Sequence, residues 1–287
     1  MKKQAAAVFE KLLSAYDRHH SIGDITPTFC RLFGVTEPEC YGAQAIAPVV
    51  DHAAKIFGGE GRAERALLFC TDAMGDHQRE LFPEAFNKIA RVAGLRIPSV
   101  SVSPSVTPVC YGTIFTGTAP VVHGILKYEK PVLTVETIFD VFAKAGKRVA
   151  IVAVNDCSID RIFRQRNIDY YSCRNDEVSF ARTMEILESD RYDFIVSYMI
   201  GYDAAQHSFG CESPEAAAQA ALAAERFEIL AQTMDKYWKN FNRVLTLVPD
   251  HGGHMIDEVH GAHGTELAED MLVSHYYRLF EKSRESK

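Results

Sequence analysis

The stretch that most constrains the fold is a short apolar run that ends in a carboxylate and an imidazole. Residues 243–248 have the sequence Arg-Val-Leu-Thr-Leu-Val, and Pro249, Asp250, His251 and two glycines follow. A short run rich in β-branched residues is typical of a buried strand. A strand that ends on Asp250 and His251 brings two metal-competent side chains to the carboxyl edge of a sheet, where open α/β folds place their sites. Taken alone, the pair is equally consistent with a capped turn.

Further apolar runs alternate with segments whose apolar residues recur at helical spacing. The predicted strands besides 243–248 are Ala66–Cys70, Ile97–Val102, Arg148–Val154, Phe194–Ile200 and a short edge strand, Asp169–Ser172. The predicted helices after residue 60 are 79–93, 109–115, 134–145, 180–187, 214–241 and the C-terminal Glu269–Lys282. Continuously apolar strands that alternate with helices predict an α/β fold with a mostly parallel central sheet and helices on both faces, a three-layer sandwich.

The predicted strands are confined to the part of the chain after residue 60. Residues 1–60 contain two helical patterns, at 4–20 and 43–56, and the glycine-rich stretch 58–61 follows them. We therefore predict a helical N-terminal segment, residues 1–60, packed on a main domain formed by residues 61–287. Whether this segment covers the sheet, leans over the site or mediates homodimerisation is left open.

Composition predicts a globular protein and disfavours two classes of partner. Hydrophobic residues make up 47% of the 287 residues, which is enough for a large core, and the formal net charge is -7. Nucleic acids and membrane surfaces require a basic patch, so neither is expected to be a partner. The seven cysteines form no C-x-x-C pair, and Glu10 and Lys11 interrupt the apolar residues near the N-terminus. We expect a cytoplasmic protein.

Polar residues with ligand chemistry cluster at the predicted strand ends. These candidates are Asp72, Asp203, His207, Asp250, His251 and His263, with His260 as the alternative to His263. Asp203 and His207 lie four residues apart, so a helical turn would place both on one face. Three aspartates and three histidines are too many for one tetrahedral zinc and suit two divalent cations. The mixture of oxygen and nitrogen donors favours zinc, with manganese as the alternative.

Thr107 is the candidate nucleophile because it follows the predicted strand 97–102 and precedes a predicted helix. A hydroxyl is a weak nucleophile at neutral pH, and coordination to a cation lowers its pKa. Backbone N–H groups at the start of the helix can also hold a phosphate oxygen. The alternative interpretation is that Thr107 only caps the helix, with Pro108 at the first helical position.

Residues 107–125 resemble the nucleophile region of the alkaline phosphatase superfamily, and most closely its type I phosphodiesterase and nucleotide pyrophosphatase branch. In that branch a nucleophilic Thr lies ten residues before the Gly of T-G-x-x-P-x-x-H-G-[IV], and Thr107 and Gly117 match that spacing. The motifs D-x-x-x-H-x-x-G, beginning at Asp203, and D-H-G, beginning at Asp250, also resemble those of the family and occur in its order. The resemblance extends from about residue 65 to the C-terminus and implies that residues 61–287 form an alkaline phosphatase-like catalytic domain.

The resemblance implies a role for each candidate residue. One cation would be held by Asp203, His207 and His263, and the other by Asp72, Asp250 and His251. Thr107 would attack phosphorus to form a covalent phospho-threonine, which metal-activated water would release. His123 and Gly124 would shape the loop behind the nucleophile helix. The implied activity is hydrolysis of a phosphodiester or nucleotide pyrophosphate bond in a small-molecule phosphate ester.

One residue departs from the pattern of that branch. Its members usually carry an Asn three residues after the nucleophile, where this chain has Cys110. The choice between diester and monoester substrates therefore stays open. The same residues would also suit a phosphosugar mutase that uses this site, or a metal-binding scaffold without turnover. The sulfatase signature C-x-P-x-R is absent from the sequence.

Overall fold

The computed structural model describes residues 2–58 and 61–283, so Gly59 and Glu60 of the predicted boundary lie outside the described residues. Its centre is a seven-stranded sheet with the order β2-β9-β6-β1-β5-β3-β4, and β7 and β8 form a separate hairpin. The strands are β1 Arg65–Thr71, β2 Leu95–Val100, β3 Val149–Val154, β4 Asp169–Cys173, β5 Phe194–Met199, β6 Arg243–Leu247, β7 His254–Met255, β8 Gly261–Ala262 and β9 Leu272–Phe280.

The seven-stranded sheet is parallel except for one strand. β6, β1, β5, β3 and β4 pair in parallel, whereas β9 runs antiparallel to both of its neighbours, β2 and β6. The direction of β2 is therefore that of the parallel strands. This arrangement confirms the predicted mostly parallel sheet, and it brings the carboxyl ends of six strands to one edge.

Helices cover both faces of this sheet. They are α1 Lys2–Ala15, α2 Ile25–Phe33, α3 Ala47–Phe57, α4 Asp76–Leu81, α5 Pro83–Ala93, α6 Thr107–Thr116, α7 Pro120–His123, α8 Ile138–Lys144, α9 Ser158–Ile162, α10 Asp176–Glu188, α11 Gly201–Phe209, α12 Pro214–Tyr237 and α13 Ala268–Met271. The predicted helix 79–93 is divided in two at Pro83, since a residue that precedes proline is disfavoured in the helical conformation. None of the helices described is long and apolar enough to cross a membrane.

Each face of the sheet has its own hydrophobic core. Alternate residues of β1 point to opposite faces: Leu68 lies in the core under α1, α2, α6 and α8, and Leu67 and Phe69 lie in the core under α5, α10 and α12. Both cores are close-packed with aromatic rings, and Phe194 meets Phe29 edge to face with centroids 5.7 Å apart. Burial on both faces explains why the parallel strands are continuously apolar.

The predicted C-terminal helix Glu269–Lys282 is wrong. Only the last three residues of α13, Glu269–Met271, are helical in this stretch, and residues 272–280 form β9 between β2 and β6. The apolar residues of this stretch fit a helical stripe, but they also fit a strand buried on both faces. Val273 and Tyr277 enter one core while Tyr276 enters the other, and the enrichment in aromatic residues favours the strand.

The N-terminal segment packs against the helix that begins at Thr107. Phe9 and Phe29 belong to the same core as α6, and Thr26 Oγ1 donates a 2.7 Å hydrogen bond to the carbonyl of Ile114. Tyr16 Oη donates to the carbonyl of Glu266, close after the loop that carries the C-terminal histidines. The N-terminal segment thus contacts both α6 and the loop that precedes α13.

Candidate metal centre and nucleophile

The candidate site lies at the carboxyl edge of the seven-stranded sheet. Asp72 follows β1, Asp250 and His251 follow β6, and α11, which follows β5, carries Asp203 and His207. The loop after β8 brings in a further histidine, and α6 begins after the loop that follows β2. The strand ends therefore bring together side chains that are up to 191 positions apart, from 72 to 263.

One group of three candidate ligands is fully buried: Asp72, Asp250 and His251. His251 Nε2 lies 3.3 Å from Asp72 Oδ1 and 3.3 Å from Asp250 Oδ2. None of these three atoms has a hydrogen-bond partner among the described residues. Buried polar atoms almost always have partners, so three that face one point have the chemistry of a cation site.

The second group is more open to solvent and consists of Asp203, His207 and His263. Asp203 Oδ1 lies 3.3 Å from Nε2 of each histidine, and the two Nε2 atoms are 3.1 Å apart. The predicted helical turn is present, because Asp203 and His207 are on one face of α11. His260 lies outside the group, since it is half-exposed and its ring contacts Asp257.

All three histidines of the two groups are oriented in the same way by the backbone. Each Nδ1 lies 2.9 Å from a main-chain carbonyl. The acceptors for His207, His251 and His263 are the carbonyls of Gly261, Gly252 and Ser105, respectively. A carbonyl only accepts, so each Nδ1 carries a proton, and Nε2 is the atom that each ring directs to the cluster. In the neutral form of each ring this Nε2 offers a lone pair. This contact is typical of metal-binding histidines, whose orientation and basicity it sets.

A stacked pair of imidazoles joins the two groups. The rings of His251 and His263 are nearly parallel, at 25°, with centroids 4.0 Å apart. The two sets of candidate ligand atoms are therefore adjacent. Such an arrangement is suited to a pair of cations that act on one substrate.

Without a cation, the buried carboxyl groups of Asp72 and Asp250 are in an unfavourable environment for negative charge. Burial, together with repulsion from Asp250, raises the pKa of Asp72 well above its ordinary value, and burial also raises that of Asp250. Burial lowers the pKa of His263, but the hydrogen bond and attraction to Asp203 outweigh it and raise the value to about 9. A divalent cation would relieve the repulsion between the Asp72 and Asp250 carboxylates. The charges of these side chains therefore also fit a cation site.

Thr107 is the first residue of α6 and is buried beside the first group. Val106 precedes it in an extended conformation, so the helix starts abruptly at the sheet edge. The Thr107 hydroxyl lies 3.3 Å from Asp72 Oδ2, and the hydroxyl of Tyr198 donates to the same oxygen. The structure therefore places the Thr107 hydroxyl against Asp72, one of the six candidate ligands.

Two residues that contact the ligands were not predicted. Tyr198 lies in β5, and its hydroxyl donates a hydrogen bond to Asp72. It was not predicted because it is part of a mostly apolar strand. Gln206 in α11 donates a 2.9 Å hydrogen bond to Asp203 Oδ1. Its position three residues after Asp203, on the same helix face, is a signal that the sequence did contain.

His123 packs behind the helix that Thr107 begins. Its Nδ1 accepts from the Ile125 N–H at 3.3 Å, and Nε2 contacts the Thr113 hydroxyl at 3.1 Å. A Cβ at Gly112 would lie only 2.8 Å from His123 Cε1, so Gly112 permits this close approach. Gly124 ends α7 with φ 85°, a conformation that glycine adopts without strain.

Cys110 lies in the core beside Ser101. It is fully buried, and its Sγ lies 3.3 Å from Ser101 Oγ, which donates a 2.7 Å hydrogen bond to the carbonyl of Asp250. Burial raises the pKa of the thiol well above its ordinary value. Cys110 therefore behaves as a small core residue that supports the end of β6.

Comparison with known proteins identifies the family. The family described as type I phosphodiesterase / nucleotide pyrophosphatase matches residues 77–279, which is more than half of the chain. The chain belongs to the type I phosphodiesterase/nucleotide pyrophosphatase family. The matched region includes Thr107 and every candidate ligand except Asp72. Membership of this phosphodiesterase family confirms the resemblance inferred from the motifs.

Solved structures share the fold of this phosphodiesterase family member. Human ectonucleotide pyrophosphatase/phosphodiesterase 5 superposes with a TM-score of 0.53 at 18% identity, over 68% of this chain and 58% of that one. The lipoteichoic acid synthase LtaP from Listeria monocytogenes superposes with a TM-score of 0.52 at 15% identity, over 78% and 66%. This chain therefore spans less than two thirds of the length of either protein. A search of curated proteins finds no significant match.

Proposed function

We propose that this chain hydrolyses phosphate esters at a centre of two divalent cations, with Thr107 as the nucleophile. The observation that carries the proposal is the arrangement of six ligand atoms in two adjacent groups of three, with the Thr107 hydroxyl hydrogen-bonded to a carboxylate of one group. Membership of the type I phosphodiesterase family supports the same reaction class.

In this proposal one cation is held by Asp203, His207 and His263. The other is held by Asp72, Asp250 and His251. The donor set is three carboxylates and three imidazoles, and the backbone contacts direct Nε2 of each imidazole to the cluster. Carboxylate and imidazole donors suit zinc, with manganese as the alternative.

The cations, when bound, would lower the pKa of a coordinated hydroxyl and stabilise the charge that develops on the phosphoryl oxygens. Thr107 Oγ1 then forms a bond to phosphorus as the bond between phosphorus and the leaving oxygen breaks. The leaving group departs as an alcohol or a phosphate, and the phosphoryl group stays on Thr107. Attack by water breaks the Oγ1–phosphorus bond and restores the hydroxyl. The position of Thr107 at the N-terminus of a ten-residue helix favours the anionic phosphoryl group.

Phosphodiesters and nucleotide pyrophosphates are the proposed substrates, in keeping with the family. Phosphomonoesters are the second candidate because of Cys110. Its buried thiol is directed at Ser101, so position 110 offers no amide to a phosphoryl oxygen. A cytoplasmic location and zinc as the metal are further parts of the proposal.

Two assays on the purified protein test the proposal. The first compares a nitrophenyl phosphodiester with the matching monoester after reconstitution with zinc or manganese. Faster diester cleavage supports the diesterase, and faster monoester cleavage supports the second candidate. A phosphosugar mutase would instead interconvert phosphosugars without releasing phosphate.

The second assay uses Thr107→Ala, with Thr107→Ser as the matched control. The Ala variant is expected to bind both metal ions and to lose turnover by at least about a thousandfold, while Ser, which retains the hydroxyl, keeps measurable activity. An active Thr107→Ala protein would contradict the proposed nucleophile. A wild-type protein that binds both ions and is inert on all esters would favour a metal-binding scaffold.

A further inference from the structure

The two oxygens of Asp72 have different surroundings. Oδ2 accepts hydrogen bonds from the Tyr198 hydroxyl and from Thr107 Oγ1. Oδ1 has no hydrogen-bond partner among the described residues and lies 3.3 Å from His251 Nε2. A carboxylate oxygen has two lone-pair sites, so the two hydroxyls occupy both sites of Oδ2. Oδ1 is then the oxygen left for a cation.

The Tyr198 ring is held in place by packing. It is 1% exposed and lies on β5 beside Cys70 of the neighbouring strand β1. Tyr111 meets it edge to face, with centroids 5.4 Å apart and planes at 87°, and Tyr111 itself stacks on Phe115. Because the ring is fixed on a central strand, the hydroxyl is a rigid reference point for Asp72.

An aspartate carboxylate without such contacts rotates easily about its last side-chain bond. We infer that Tyr198 is a positioning residue, which fixes the Asp72 carboxylate so that Oδ1 joins Asp250 and His251 in holding a cation while Oδ2 faces Thr107. This inference rests on the proposed metal centre. Tyr198 acts through Asp72 and does not itself touch substrate. The alternative is that Tyr198 is only a core residue whose ring fills space.

Tyr198→Phe distinguishes the two roles, since it keeps the ring and removes the hydroxyl. The matched control is Tyr111→Phe, which removes a neighbouring buried hydroxyl that bonds the carbonyl of Val248 at 3.3 Å. The metal-free proteins are titrated with Zn²⁺ against a competing chelator, and the two binding steps are measured separately. Thermal unfolding of the metal-free proteins checks that each variant is folded.

The positioning role predicts a selective loss in Tyr198→Phe. The affinity of one binding step is expected to fall by about 10- to 100-fold, the range found when a hydrogen-bond partner of a metal ligand is removed. The other step and both steps of Tyr111→Phe are expected to stay within about twofold of wild type, since their ligands and the contacts of those ligands are unchanged. In the zinc-loaded variant kcat is expected to fall more than KM rises, because the misplaced carboxylate also faces the nucleophile. Wild-type affinity for both ions in Tyr198→Phe would overturn the inference.

Asp72→Asn provides a second test that leaves Tyr198 intact. If the two hydroxyls hold the oxygen of the side chain, they turn the new amide nitrogen toward the cation, and the affected binding step is abolished. Near-wild-type binding by Asp72→Asn would show that the carboxylate position is not fixed and would contradict the inference. Failure of the proposed function itself has a different signature: the wild-type protein would then bind fewer than two ions, or would bind both and cleave no ester.

Discussion

His251 and His263 stack ring on ring with centroids 4.0 Å apart, although each belongs to a different group of candidate ligands. His251 is fixed by a buried strand end, whereas His263 is held by a loop through the carbonyl of Ser105. The stack therefore joins His263 on a loop to His251 at the edge of the sheet, and loops are in general more mobile than the strands they connect. The consequences for metal binding can be tested one histidine at a time.

His263→Ala is expected to reduce zinc binding from two equivalents to about one, because it removes a ligand only from the group that contains Asp203. His260→Ala is the matched control, since His260 is half-exposed and contacts Asp257 outside the cluster. Metal content after dialysis, measured by elemental analysis, gives the result. If His263→Ala kept two equivalents of zinc and His260→Ala lost one, His260 and not His263 would be the ligand.

Two buried histidines are expected to destabilise the metal-free protein as the pH falls from about 7 to 5. Burial lowers the pKa of His123 to about 4 and that of His275 also to about 4. Between pH 4 and 6.5 the unfolded chain binds protons at these two positions and the folded protein does not, so acid favours unfolding. Each histidine is expected to contribute roughly 2 kcal/mol to this loss by pH 5.

The pH effect is measured by urea unfolding at pH 7 and at pH 5. His123→Gln cannot take up a proton, so its free energy of unfolding at pH 5, relative to that at pH 7, should be higher than that of the wild type by the His123 contribution. An unchanged pH dependence in His123→Gln would show that His123 is not held neutral in the folded protein.

Gly112→Ala is expected to lower the free energy of unfolding by about 1–3 kcal/mol, as overpacking does in well-packed cores. The new Cβ would lie 2.8 Å from His123 Cε1 and 3.1 Å from Nδ1. Chemical denaturation measures the change. The double variant Gly112→Ala/His123→Ala should show a smaller combined loss than the sum of the two single losses, because the second substitution removes the clash. If the losses of unfolding free energy in the two single variants simply added up in the double variant, the His123 ring would not be what restricts the side chain at position 112.

Cys110→Ala is expected to retain activity within about twofold, since its thiol is buried and contacts Ser101, which is not one of the candidate ligands. Stability should fall by about 1 kcal/mol because the substitution leaves a small cavity. Steady-state kinetics on the preferred ester and urea unfolding give the two values. A large loss of kcat at full metal occupancy would instead assign the thiol a role in the reaction.

The sequence allowed prediction of those parts of the fold in which one physical signal dominates. The strand predicted at Ala66–Cys70 is observed at Arg65–Thr71, and the one predicted at Phe194–Ile200 at Phe194–Met199. Burial on both faces requires continuous apolar runs, which are easily recognised. The helix predicted over residues 272–280 was wrong because their apolar spacing fits both a helix and a strand. Pairing with β2 and β6, which are distant in sequence, makes this stretch a strand.

The candidate ligands were predictable for a related reason. Strands of a parallel sheet end at one edge, so polar residues after Thr71, Met199 and Leu247 had to converge. The contacts that orient them were not predictable from that pattern. The hydroxyl of Tyr198 is hidden in an apolar strand, and the carbonyl that orients each histidine depends on loop geometry that no short motif encodes.

The position of β9 has a consequence for biosynthesis. β9 follows every other strand in the sequence, yet it lies between β2 and β6 in the interior of the sheet. A nascent chain that has left the ribosome only as far as β8 therefore exposes two open strand edges, which are prone to pair with other chains. Emergence of β9 closes both edges at once and joins β2, the strand that leads to Thr107, to the strands that carry the candidate ligands. The complete candidate centre can thus assemble only after β9 has been synthesised and has left the ribosome.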